Sequence, residues 1–221
     1  MKDFDLITFD CYGTLIDWEA GISEAFRNEA AKDGIDLKHE EVVAAYATAE
    51  AEVEGKEFVP YHRVICEAAH FCAPTLGWEL TEQRAAFLVR SLPAWQPFPD
   101  TNPALERLAS HFHLGILSNV DDELLVETLR HFTVSFEMIV TAEQVRSYKP
   151  RAAHFKEAMS RKGTARWLHA GQSWFHDIQP ALELGVPVTW INRKSKPMPG
   201  GERKPRYIVN DLTGLADLLG A

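Results

Sequence analysis

The chain has 221 residues, 46% of them hydrophobic, enough to bury a substantial core in one large domain or in a domain carrying an insertion. Its 32 acidic residues outweigh 23 Lys and Arg, and the resulting net charge of −9 offers no general field to nucleic acid or to an anionic membrane surface. Cys11, Cys66 and Cys72 form an odd set without CxxC spacing, which argues for free thiols in a reducing compartment and against zinc. The opening Met1-Lys2-Asp3-Phe4-Asp5 has no basic leader and no long apolar segment, so the expected location is the cytoplasm.

Taken in chain order, residues 4–9 read as a buried strand that ends at Asp10, with Gly13 breaking the pattern. From about 19 to 92 the apolar spacing is helical: Ile22, Ala25, Phe26 and Ala30; Val42, Val43, Tyr46 and Ala49; Val64, Ile65, Ala68 and Ala69; Ala86, Phe87 and Val89. Four helices therefore follow one another without a strand between them. The run Pro93-Ala94-Trp95-Gln96-Pro97-Phe98-Pro99-Asp100 reads as a stiff connector back to the first domain. Beyond it strands alternate with helices: a helix holding Leu105 and Leu108, a strand at 114–117, a helix at 122–131, a strand at 137–141 and a helix at 151–162. Strands at 168–171, 186–191 and 207–209 complete the set, with a helix at 180–184 and a solvated loop over Lys194–Pro205.

Such alternation predicts an α/β fold, a doubly wound Rossmann-like parallel sheet. The core is expected from residues 1–16 and 97–221, with an all-helical cap inserted at 17–96. Open parallel sheets bind ligands beyond the carboxyl ends of their strands. The polar residues at those ends are Asp10 and Thr14 after the first strand, Ser118 and Asn119 after 114–117, Lys149 after the third strand and Asp177 after 168–171.

Phe9-Asp10-Cys11-Tyr12-Gly13-Thr14-Leu15, Leu117-Ser118-Asn119, Ser147-Tyr148-Lys149-Pro150 and the region around Asp177 stand in the order of the four motifs of the haloacid dehalogenase superfamily. The chain resembles that superfamily over nearly its whole length, and the helical insertion resembles the cap that covers its active sites. The resemblance implies that Asp10 is a nucleophile forming a covalent ester, and that Lys149 keeps it ionised. Thr14, Ser118 and Asn119 would orient Asp10 and the substrate, while Asp177 would hold Lys149 or help to activate the hydrolytic water.

Tyr12 narrows the resemblance. Phosphatases of the superfamily carry a second Asp at this position as general acid and base. In the L-2-haloacid dehalogenase branch the residue is aromatic, and halide leaves without a proton. Val186-Pro187-Val188-Thr189-Trp190-Ile191-Asn192-Arg193 is similar to the same branch. Two features depart from it. Residues 28–62 contain no arginine where the branch holds its substrate with one, which leaves Arg63 as the nearest candidate. Aligned on Asp177, Gln172 and Trp174 stand where the branch carries Ser and Asn.

The expected activity is therefore hydrolytic dehalogenation of a small 2-haloacid without a cofactor, with Tyr12, Asn119 and Arg63 contacting the substrate. The alternative is a phosphatase for a small phosphorylated metabolite, with Asp10 and Asp177 binding Mg²⁺ beside the neutral Gln172. A non-catalytic binding module is the third reading. The expected partner is a small molecule rather than nucleic acid or membrane, and apolar helix faces suit a homodimer. Plainer roles stand beside each assignment: helix caps for Thr14, Ser118 and Asp177, a loop lysine for Lys149, and a surface arginine for Arg63. His62, His70 and His176 carry no clear signal, Trp18 and Trp174 fit a pocket wall or a core, and alternation turns Cys11 away from Asp10.

Overall fold

The computed structural model describes residues 3–201 and 203–221; Met1 and Lys2 of the expected N-terminus and Glu202 of the expected loop lie outside them. Strands β1 (Leu6–Phe9), β2 (His113–Ser118), β3 (Met138–Thr141), β4 (Trp167–Gly171), β5 (Val188–Ile191) and β6 (Tyr207–Val209) form one sheet in the order β3-β2-β1-β4-β5-β6. All five pairings are parallel. The chain winds outward from β1 to β3 and then returns to the other side of β1 for β4. The order therefore reverses between β1 and β4, and sheets of this kind bind ligands beyond the carboxyl ends at such a reversal.

Short apolar strands suit the interior of this sheet, where they are covered on both faces, while the edge strand β6 leaves Ile208 exposed. On one face Leu6, Leu117, Met138, Val140, Trp167, Val188 and Trp190 pack with Phe155 and Ala158 of a helix at Ala153–Arg161 and with Ala181 of a helix at Gln179–Glu183. Ile7, Phe9, Leu114, Ile116 and Leu168, which alternate with them, are equally buried on the other. Two polar residues interrupt the first face: Thr8 and His169, paired across β1 and β4 and both fully buried.

The chain divides into two compact units, one of Met1–Ile16, Pro97–Asn119 and Arg130–Ala221, the other of Asp17–Gln96 and Val120–Leu129. The second unit is helical, with α1 (Trp18–Ala30), α2 (His39–Glu54), α3 (Tyr61–Cys72), α4 (Glu82–Ala85), α5 (Phe87–Ser91) and, from the later segment, Asp122–Leu129. The single helix expected around Ala86 is two short ones, because Ala86 departs from helical geometry at ψ −7°. Phe26 centres the packing and meets the rings of Tyr46, Trp78 and Phe87 edge-on. No helix among the described residues is long and apolar enough to cross a membrane.

Helix α3 begins after Pro60, whose side chain has no acceptor, so its first amides need another partner. Asp121 supplies it from the later segment of the same unit, accepting from the amides of Tyr61 at 2.7 Å and His62 at 2.8 Å and from His62 Nδ1 at 2.8 Å. Replacing a capping oxygen costs roughly 0.5–2 kcal/mol, so Asp121→Ala is expected to lower the unfolding free energy by that amount, read as a lower urea midpoint at unchanged slope in circular dichroism.

Candidate active site

The site begins one residue past β1. The Asp10 amide still donates to the Ala170 carbonyl at 3.0 Å, after which the Cys11 carbonyl accepts from the amides of Leu15 and Ile16 and the chain folds back. Gly13 makes the turn at φ +97°, a conformation that L side chains avoid. Thr14 consequently returns to Asp10 and donates from Oγ1 to Oδ2 at 2.9 Å, while its own oxygen accepts from the Gln172 amide at 2.9 Å. Arg193 anchors the same loop: its Nη2 donates to the Thr14 carbonyl at 2.8 Å, and it pairs with Asp100 and lies 3.8 Å over the Phe98 ring.

Lys149 is 1% exposed and uses all three of its hydrogens. Nζ donates to Asp10 Oδ1 at 2.8 Å, to the Leu117 carbonyl at 2.8 Å and to Asp177 Oδ1 at 2.6 Å. Its backbone is fixed by Asn119, whose Oδ1 accepts from the Lys149 amide at 2.7 Å and whose Nδ2 donates to the Lys149 carbonyl at 3.1 Å. Asn119, expected to orient Asp10 and the substrate, also clamps the backbone of Lys149. The loop-lysine reading of Lys149 fails on burial.

Asp177 sits inside a single π-helical turn, Trp174–Ile178, rather than capping a helix. Ser173 is the cap, its Oγ accepting from the His176 amide at 3.1 Å. Gly171 makes room for the carboxylate, since a Cβ there would lie 2.6 Å from Asp177 Cβ and 2.9 Å from Oδ2. Asp177 is fully buried, and its Oδ2 has no hydrogen-bond partner. Ser118 Oγ is likewise buried and unpartnered, while the Ser118 carbonyl accepts from His154 Nε2 at 3.1 Å.

Burial and the charge of Asp177 push the Asp10 carboxyl up to about 6, against the pull of Lys149 and Thr14. Asp177 is held well below the usual carboxylate range: burial opposes its charge, but Lys149 and the His169 contact outweigh it. Burial also opposes the Lys149 charge, yet the two carboxylates raise that ammonium above its ordinary value. Desolvation lowers His154 to about 3 and His176 to about 4, so both imidazoles are neutral near pH 7. The buried Cys11 thiol is pushed well up and stays protonated.

A family model described as haloacid dehalogenase-like hydrolase matches residues 4–185. The chain belongs to the haloacid dehalogenase-like hydrolases. An (S)-2-haloacid dehalogenase of Pseudomonas putida is 26% identical over 99% of this chain and 98% of its own length. Haloacetate dehalogenase H-2 of Moraxella sp. (strain B) is 24% identical over 87% and 88%. The solved structure of L-2-haloacid dehalogenase from Xanthobacter autotrophicus superposes with a TM-score of 0.83 at 22% identity, covering 99% of each chain.

In this haloacid dehalogenase-like hydrolase Asp10, Thr14, Lys149 and Asp177 are joined by direct hydrogen bonds, with Asn119 and Ser118 alongside. Tyr12 is half-buried in the turn that follows the nucleophile. Arg63 belongs to the helical unit, where its side chain is 60% exposed and reaches Glu67 on its own helix at 3.5 Å. Trp174 packs edge-on against Trp190 at 5.1 Å, and Trp18 lies 6.3 Å from Tyr46. Sequence reasoning passed over Gly171, Thr8 and His169; the last two were legible as polar residues inside otherwise apolar strands.

An octahedral divalent ion wants several oxygen ligands, and three of the four oxygens of Asp10 and Asp177 do not stand free. Asp10 Oδ1 and Asp177 Oδ1 share the ammonium, and Asp10 Oδ2 takes the Thr14 hydroxyl. Among the described residues no group of three or more His, Cys, Asp or Glu is disposed to hold a metal ion. This donor set does not fit Mg²⁺.

Lys149→Met is expected to leave two buried carboxylates without a counter-charge. Breaking such a pair costs about 3–5 kcal/mol, so the thermal midpoint falls together with activity. In the wild type, kcat/KM should fall about tenfold per pH unit below about 6, as Asp10 takes a proton and ceases to be a nucleophile; a pH profile of initial rates checks this.

Proposed function

We propose that the chain is a hydrolytic dehalogenase for a small 2-haloacid, working through an ester on Asp10. One observation carries the reading: a buried carboxylate, fixed by an ammonium at 2.8 Å and a hydroxyl at 2.9 Å, is followed two residues later by Tyr12 rather than by an acid. A leaving alcohol needs a proton, whereas a halide does not. A nucleophile with Tyr12 in place of an acid two residues on therefore suits displacement of halide at carbon. The names of the Pseudomonas and Moraxella relatives support the same substrate class.

In the first step an Asp10 oxygen forms a bond to C2 of the substrate, and the carbon–halogen bond breaks with its electron pair leaving as halide. Lys149 keeps Asp10 ionised and balances charge at the carboxyl as the ester forms. In the second step water adds to the carboxyl carbon of that ester, and the 2-hydroxyacid leaves with the oxygen that came from Asp10. Asp177 Oδ2, buried and without a hydrogen-bond partner, is the acceptor available for the water proton, which then passes to solvent. Displacement occurs once at C2, so configuration inverts there. Ser118 Oγ, likewise buried and without a partner, is a donor that suits the substrate carboxylate or the halide. Arg63 is proposed as a further contact for that carboxylate, and residues 17–96 as the cap.

Purified protein given 2-chloropropanoate is expected to release chloride in the presence of EDTA, while Asp10→Asn releases none. In a single turnover in ¹⁸O-water the label should enter Asp10 and not the 2-hydroxyacid, as mass spectrometry of the peptide holding residues 3–27 would read. Metal-dependent phosphate release from phosphate esters, with no halide release, would overturn the proposal.

A further inference from the structure

Behind Asp177 lies a chain of hydrogen bonds that the proposed steps do not use. Trp167 and His169 alternate on one face of β4, and Thr8 lies opposite His169 on β1. Trp167 Nε1 donates to Thr8 Oγ1 at 2.8 Å. An indole N–H can only donate, so the Thr8 hydroxyl receives that bond, which leaves its own hydrogen and a second lone pair for other partners. Its next neighbour is His169 Nδ1 at 2.9 Å. His169 Nε2 faces Asp177 Oδ1 at 3.3 Å; an ionised carboxylate only accepts, so the hydrogen of the neutral imidazole is on Nε2 and Nδ1 accepts from the Thr8 hydroxyl. The carboxylate at one end and the indole at the other thus agree on one direction for the whole chain.

We infer that His169 is a positioning residue: held as the Nε2–H tautomer between the Asp177 carboxylate and the Thr8 hydroxyl, it aims that hydrogen at Asp177 Oδ1 and governs how the Lys149 ammonium is shared between Asp177 and Asp10. The inference rests on the reading of Asp10 as nucleophile. Asp177 Oδ1 accepts from both His169 and Lys149. Removing the histidine hydrogen leaves Lys149 to satisfy Asp177 alone, which draws the ammonium away from Asp10. An apolar side chain would pack at this site at lower cost, because His169, Thr8 and Asp177 are all fully buried. Phe155, which meets the His169 ring edge-on at 5.1 Å, holds the imidazole plane.

Burial keeps His169 neutral, opposed by Asp177, with the Lys149 ammonium acting in the same direction as burial. The other titratable groups bearing on Asp177 and Asp10 are His154, His176 and Cys11, and desolvation keeps all three uncharged near pH 7. Weaker hold by Lys149 raises the proton affinity of Asp10, so the acid limb of the rate profile moves to higher pH.

The test has two arms. In ¹⁵N-labelled wild-type protein, His169 should show a protonated Nε2 and an unprotonated Nδ1, unchanged between pH 6 and 8; an Nδ1–H tautomer overturns the inference without any turnover being measured. In the second arm His169→Leu should lower kcat for halide release about 10- to 100-fold with KM little changed, the loss expected for a hydrogen bond to a charged group, and shift the acid limb upward. His169→Gln, which restores an N–H near the Nε2 position, should recover most of kcat and return the limb. An unshifted limb in His169→Leu, with equal losses in both variants that follow their melting temperatures, overturns it. A wild type that releases no halide defeats the dehalogenase reading instead, and the tautomer measurement still decides the role of His169.

Discussion

A single ammonium held between two buried carboxylates sets the terms for the rest of the core unit. Taking three charges out of water is unfavourable by several kcal/mol per ion, and the arrangement persists only where geometry returns that loss through short, well-directed bonds. Lys149 meets the condition with three acceptors for three hydrogens. Asn119 fixes its backbone, Gly171 admits Asp177, and Thr14 completes the shell of Asp10. Each is a small, specific device serving the same nitrogen.

The sheet supplies these devices at low conformational cost. Reversal of strand order beside β1 brings the carboxyl ends of β1, β2 and β4 together, so that residues distant in sequence converge without long excursions. Arg193, beyond β5, reaches the carbonyl of Thr14, and its partner Asp100 also accepts from the amide of Leu212 at the start of the last helix. The nucleophile loop is therefore tied to the far side of the sheet by a pair that is 12% and 17% exposed, where dissolved salt screens little.

Much of this was readable in the residues. The strands at 6–9, 113–118 and 167–171 follow from short apolar runs, and their polar successors mark the site because parallel sheets expose chemistry at that edge. What escaped the sequence depends on distance in space. Nothing in Asn119 signals that both ends of its amide meet the backbone of Lys149, and the π-helical turn around Asp177 has no periodic signature in five residues. The His169 chain was half legible: a histidine and a threonine in buried strands are conspicuous, but their pairing appears only once the register of β1 against β4 is known.

The proton affinity of Asp10 also has a consequence for the reaction as a whole. Each proposed turnover replaces a carbon–halogen bond by a hydroxyl and sets free one halide and one proton. With Asp10 titrating at about 6, acid released into a poorly buffered medium would return to the nucleophile and silence it. The catalyst would throttle its own acidification, with the same buried carboxylate serving as reagent and as sensor of the product it makes.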